Sequence, residues 1–179
     1  MRLNGRICDN SKTNIYFRGR SVMKSDQLLD LAWAIAEMEA RALGSEVVEP
    51  MHFLLAALKI VDVDFPAQLD KLDMTSDAWK SMCKDAKKVL EYLDVLPEKI
   101  TEVRRRIRHR LARAGQPTIP KDQLIHRSRK TRAAFYDAAR QTDGDVITLL
   151  QLMKSMFELG FLDVSDMRWR MPTKTFRKE

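Results

Sequence analysis

The sequence has 179 residues, 45% hydrophobic and 32% charged, with only six Gly and six Pro. That is the size of one ordinary domain, or two very small ones, and a globular composition, which excludes collagen-like, low-complexity and wholly disordered chains. The formal charge of +7 is spread unevenly: residues 1–24 carry +5, residues 25–96 carry −7, residues 97–132 carry +9, and residues 133–179 balance.

Residues 1–23 contain Arg2, Arg6, Lys12, Arg18 and Arg20 but no apolar stretch of the kind a secretory signal needs. They read as a basic N-terminal arm, with Met23 as an alternative start. Helical periodicity begins at Ser25, a suitable N-cap, and continues through Leu28, Leu31, Ala32, Ile35, Ala36, Met38 and Ala42 to Gly44. Pro50 then opens a second helix with Met51, Leu54, Leu55 and Leu58 on its apolar face. Residues 66–72 predict a short third helix, and residues 75–93 a fourth through Trp79, Met82, Ala86, Val89, Leu90 and Leu93. A fifth, between Pro97 and Gly115, pairs a narrow stripe of Ile100, Val103, Ile107 and Leu111 with six arginines. After the linker at residues 115–120, helices are expected over residues 124–141 and 148–158, the latter carrying Leu149, Leu152, Met153 and Met156. The tail, residues 163–179, is polar, basic and poorly patterned.

No run of about 18 apolar residues exists, so no membrane span is expected. Cys8 and Cys83 are far apart and belong to no Cys/His cluster, which argues against a disulfide framework or zinc site and for a reducing cytoplasm. Cys83 falls in a helical pattern and reads as a small buried hydrophobe.

Sliding the chain by 98 residues superposes two helix–turn–helix units. Ala36 falls on Ala134, Met38 on Tyr136, Ala40 on Ala138, Val48 on Val146, Met51 on Leu149, Leu54 on Leu152, Leu55 on Met153 and Leu58 on Met156. The expected fold is all-α, about seven or eight helices in a pseudo-twofold repeat of helical modules. Its first module covers residues 24–96, its second residues 124–162, and the basic helix and linker at residues 97–123 join them.

The residues of the first module carry a resemblance. Residues 31–60, with Ala36, Ala40 and Gly44 in one helix and His52, Phe53, Leu54, Leu55 and Leu58 in the next, resemble the repeat of Clp N-terminal domains. Residues 65–72 and 76–93 are similar to that repeat's third and fourth helices, and residues 130–157 resemble a degenerate second copy with Leu150 in place of the His. The resemblance implies a non-catalytic domain that receives substrate or adaptor proteins for an AAA+ unfoldase. Where the family has a Glu before the His, this chain has Met51, and Leu149 in the second copy. Reading of phosphorylated arginine through that carboxylate is therefore not expected.

No phosphate-binding loop, nucleophile elbow, HExxH or dinucleotide fingerprint is present, so neither an enzyme nor a cofactor is expected. His52 lacks a metal-ligating companion one turn away and reads as a structural helix-start residue, with Gly44 as the preceding helix stop. His109 and His126 lie among arginines as solvated or nucleic-acid-facing groups. Core packing is the default reading of Met38, Met82, Met153 and Met156. If a peptide groove exists, it should lie between the repeats, with Met51, Phe53, Leu149 and Leu150 as its lining. Arg104, Arg105, Arg106, Arg108, Arg110 and Arg113 repel one another at helical spacing and require a partner. Three partners are open: internal acids, with Asp70, Asp73, Asp77, Asp85 and Glu91 as candidates; an acidic protein; or nucleic acid bound through residues 104–113. Few aromatics lie nearby to stack bases.

Overall fold

A computed structural model describes residues 24–62, 76–112 and 117–163. The predicted basic arm, the helix at residues 66–72, Cys8 and the basic tail lie outside these residues. The described chain is mainly helical, an all-α fold with four two-residue strands. In order it runs β1 (Lys24–Ser25), α1 (Gln27–Ala42), β2 (Val47–Val48), α2 (Pro50–Ile60), α3 (Ser76–Leu93), a 3-10 turn (Pro97–Lys99), α4 (Ile100–Leu111), β3 (His126–Arg127), α5 (Arg129–Gln141), β4 (Val146–Ile147) and α6 (Leu149–Glu158). No helix among the described residues is long and apolar enough to cross a membrane.

The cap of α1 is Asp26 rather than Ser25: its Oδ1 accepts the Leu29 N–H at 2.7 Å. Gly44, at φ 69°, closes the other end. Its N–H bonds the Arg41 carbonyl and the Ser45 N–H bonds the Ala40 carbonyl, the paired closure that favours glycine. Gly160, at φ 66°, ends α6 the same way through Phe157 and Met156. The helix expected from residue 124 starts at Arg129 instead. Residues 126–127 are extended because they pair in parallel with Val47–Val48, and the buried Ser128 then caps α5 by accepting the Thr131 N–H.

The order strand–helix–strand–helix occurs twice, and the strands pair crosswise: β1 with β4, β2 with β3. The bonds at the two joins correspond. Asp26 N–H donates to the Ile147 carbonyl at 3.0 Å, and Ser128 N–H donates to the Val48 carbonyl at 3.1 Å. The Thr131 hydroxyl adds a second bond to Val48, at 2.7 Å.

The burial patterns of α1 and α5 align at an offset of 99, one more than the gapless sequence match. At 99 every buried residue of α5 (Thr131, Ala134, Phe135, Ala138, Ala139) falls on a buried residue of α1, whereas at 98 only Ala134 and Ala138 do. The second-helix caps, Glu49 and Thr148, agree with 99. Helix α5 is three residues shorter than α1 and lacks the counterpart of its first turn.

One apolar core runs from Leu28 to Leu162 and takes residues from every described helix. Helix α2 is its axis: Phe53 through Leu58 are all fully buried, as an unbroken apolar run on a short helix predicts. The basic helix α4 is part of the core rather than a connector, because Ile100, Val103 and Ile107 are all fully buried, chiefly against α2. Of the four methionines expected inside, Met82, Met153 and Met156 are buried, but Met38 is 61% exposed on the outer side of α1. Cys83 is half-buried.

Candidate functional site

The arginine helix is arranged as two parallel stripes. Each buried residue of the apolar stripe is followed by a polar residue: Thr101 after Ile100, Arg104 after Val103 and Arg108 after Ile107. The Thr101 hydroxyl and Arg104 Nη1 both donate to Asp62 Oδ2, at 3.2 and 3.1 Å. Arg108 holds Glu39 with both arms of its guanidinium, Nε to Oε2 at 2.8 Å and Nη2 to Oε1. The Glu39 side chain is only 5% exposed, and its bond to the guanidinium raises the Arg108 pKa.

The partner of the arginines is therefore partly internal, through acids the sequence reading did not choose. Asp77 pairs with Lys80 and Asp85 with Lys88 on their own helix, and Glu91 is exposed. Asp70, Asp73 and Arg113 lie outside the described residues. Arg105 and His109 face outward, and Arg106 is half-buried. Arg110 continues the line of the buried stripe past its end and borders a cleft instead.

That cleft has a volume of about 620 Å³ and lies where α2 begins. The turn from Leu43 to Val47 and the helix start from Glu49 to His52 form one wall; Arg110 and Leu111 of α4, Lys130 of α5 and Phe161 form the others. Both units and the basic helix contribute to it. Its chemistry is mixed, with Met51 and Phe161 beside Glu46, Glu49, Arg110 and Lys130.

Only Met51 of the four predicted groove residues reaches this cleft. Phe53 and Leu149 are fully buried in the core, and Leu150 is half-buried elsewhere. The sequence match at 98 sets Leu149 opposite Met51, whereas the burial match at 99 sets Leu150 there and Leu149 on the buried Pro50.

His52 borders the cleft with 2% of its surface exposed. Its Nδ1 accepts the Glu49 N–H at 3.0 Å, which satisfies a donor that the start of α2 would otherwise leave unpaired. In the second unit Gln151, not Leu150, does this work, its Oε1 accepting the Thr148 N–H at 2.8 Å. Burial pushes the His52 pKa down to about 4, with Glu39 acting the other way. Burial also pushes Asp26 up to about 6, against the Leu29 N–H and with help from Asp85 and Asp30.

These two shifts have opposite consequences. The unfolded chain binds a proton at His52 before the folded one does, so acidification from pH 6.5 to 4 removes stability. The folded chain binds a proton at Asp26 first, so the same acidification from pH 6 to 4 restores stability. The His52 effect has a ceiling of about 3 kcal/mol, the Asp26 effect is smaller because solvent screens its part-exposed carboxyl, and over the shared window they oppose each other. Measured relative to wild type by urea denaturation, D26N should lose stability between pH 6 and 4, and H52Q should gain it. Parallel pH profiles for the three proteins would refute both assignments.

A second feature escaped the sequence reading. The Arg127 guanidinium lies 5.2 Å from the Trp33 ring centre and 4.8 Å from that of Phe135. Phe53 touches both rings, at 5.7 Å each. Burial lowers the Arg127 pKa, and the charge sits at the join of the two units because β3 carries it there. A shallower cleft of about 720 Å³ lies between Ala34, Met38 and Ala42 of α1 and residues 118–121. The segment is held by the Ile119 N–H on the Arg41 carbonyl at 3.1 Å and by the Arg41 guanidinium on the Pro120 carbonyl.

Among the described residues no group of three or more His, Cys, Asp or Glu side chains is placed to hold a metal ion. No family model matches the sequence, and no curated protein matches it either.

Proposed function

We propose that this chain is a non-catalytic protein-binding module, a tandem pseudo-repeat of the Clp N-terminal kind, that receives a substrate or adaptor protein for an AAA+ unfoldase. The observation that carries this reading is the cleft at the start of α2, walled by both units and by α4. A mixed lining of Met51, Phe161 and charges of both signs suits an extended polypeptide, whose backbone and side chains present both polar and apolar groups. The crosswise strand pairing and the shared offset of 99 support the tandem reading.

The test is an NMR titration of the full chain with a permanently unfolded polypeptide. Amide shifts are expected to concentrate at residues 43–52, 110, 130 and 161, and the double variant M51E/K130E should weaken binding at least about tenfold. Shifts confined to residues 34–42 and 118–121 would move the site to the shallower cleft, and an absence of binding would sink the proposal. The nucleic-acid reading has less support, since Arg104 and Arg108 are engaged by Asp62 and Glu39. It predicts a mobility shift at low salt that fades steeply as salt rises.

A further inference from the structure

We propose that His52 is an acid-released latch on the cleft wall: protonation breaks its bond to Glu49 and frees the first turn of α2 beside the cleft. The bond to Glu49 fixes which ring nitrogen holds the proton. Because Nδ1 accepts the Glu49 N–H at 3.0 Å, the neutral ring must carry its hydrogen on Nε2. A proton arriving at Nδ1 would point at the Glu49 N–H, donor against donor, so the cap and the imidazolium are mutually exclusive.

The surroundings offer the charged ring little compensation. Glu39 on α1 is the anion that attracts it, but both Glu39 oxygens already accept from Arg108 of α4. Arg110 of α4 and Lys130 of α5 border the same cleft and oppose a third cation there, while Glu46 and Glu49 on the turn favour it. The route left to an imidazolium is outward, into the cleft its residue already lines and toward water. Burial holds the proton off until well below the usual imidazole range, which keeps the latch shut near neutrality. The second unit has no such device, because Gln151 makes the corresponding bond to Thr148 and does not titrate. The latch does not depend on what the cleft binds.

Amide hydrogen exchange of the full chain from pH 7 to 4, corrected for the intrinsic pH dependence, tests this without any ligand. Glu49 protection should fall about five- to tenfold at the acid end, the equivalent of one hydrogen bond, while Thr148 protection holds. H52Q should remove the pH dependence at Glu49. In wild type the His52 ring nitrogen shifts should report an Nε2–H tautomer at pH 7 that converts over the same range. Glu49 protection that is constant with pH would overturn the proposal, as would an equal fall at Thr148 or an unchanged fall in H52Q.

Discussion

An F53A variant is expected to lose about 3–5 kcal/mol of stability, a large fraction of what a domain of this size possesses. Phe53 is fully buried, and its ring lies between Trp33 of α1 and Phe135 of α5. Truncation removes the transfer free energy of the ring, leaves a cavity between three helices, and forfeits two aromatic contacts worth about 0.5–1.5 kcal/mol each. It also takes a neighbour from the two rings that flank Arg127, so a partly buried cation loses some of its enclosure. L152A, at the corresponding position of the second unit and equally buried, should cost about 2–5 kcal/mol. M51A, half-buried on the cleft, should cost far less. Urea denaturation of the three variants gives the ranking. If F53A unfolds with M51A rather than with L152A, the core assignment fails and the groove reading of Phe53 returns.

That contrast shows where periodicity stops being informative. The apolar run from Phe53 to Leu58 is legible as a helix, but a helix buried on every side has no distinguishable groove face. Sequence spacing placed Phe53 at a helix start, where a ligand-facing side chain is plausible; tertiary packing placed it on the axis of the core. Pro50 and Gly44 were legible for the opposite reason, because a missing N–H and a positive φ act locally. The strands were not. Two residues of β3 have no pattern of their own, and only pairing with Val47–Val48, some eighty residues away, makes them extended. The sequence match at 98 and the burial match at 99 differ by one residue because apolar positions recur so densely on α2 that either register matches. The caps Glu49 and Thr148, each followed three residues later by a side chain that reaches back, decide between them. That signal was present in the sequence as Glu-Pro-Met-His and Thr-Leu-Leu-Gln, but it was masked by the absence of any shared residue type.

The clustered arginines demand partners, and among the described residues Asp62 and Glu39, which carry no sequence signal of the role, answer for Arg104 and Arg108. Glu39 sits among the alanines of α1 and looks like a solvated position on a helix; only the approach of α4 buries it. R108M is therefore expected to be the more damaging half of the pair. It leaves a carboxylate that is 5% exposed facing no cation, a loss of about 3–5 kcal/mol if the group stays ionised. E39M leaves instead a guanidinium that is 44% exposed and can turn to water, for a cost of about 1 kcal/mol. The double variant E39M/R108M should return close to wild-type stability, since a matched apolar pair replaces an ion pair whose desolvation nearly offsets its attraction. The four proteins form a double-mutant cycle readable by urea denaturation at pH 7. Equal and small losses in the two single variants would reduce the pair to an ordinary surface contact. The asymmetry would instead show that part of the positive charge in residues 97–132 is structural. Arg104 and Arg108 then fix α4 along the apolar stripe, and that placement carries Arg110 to the edge of the cleft.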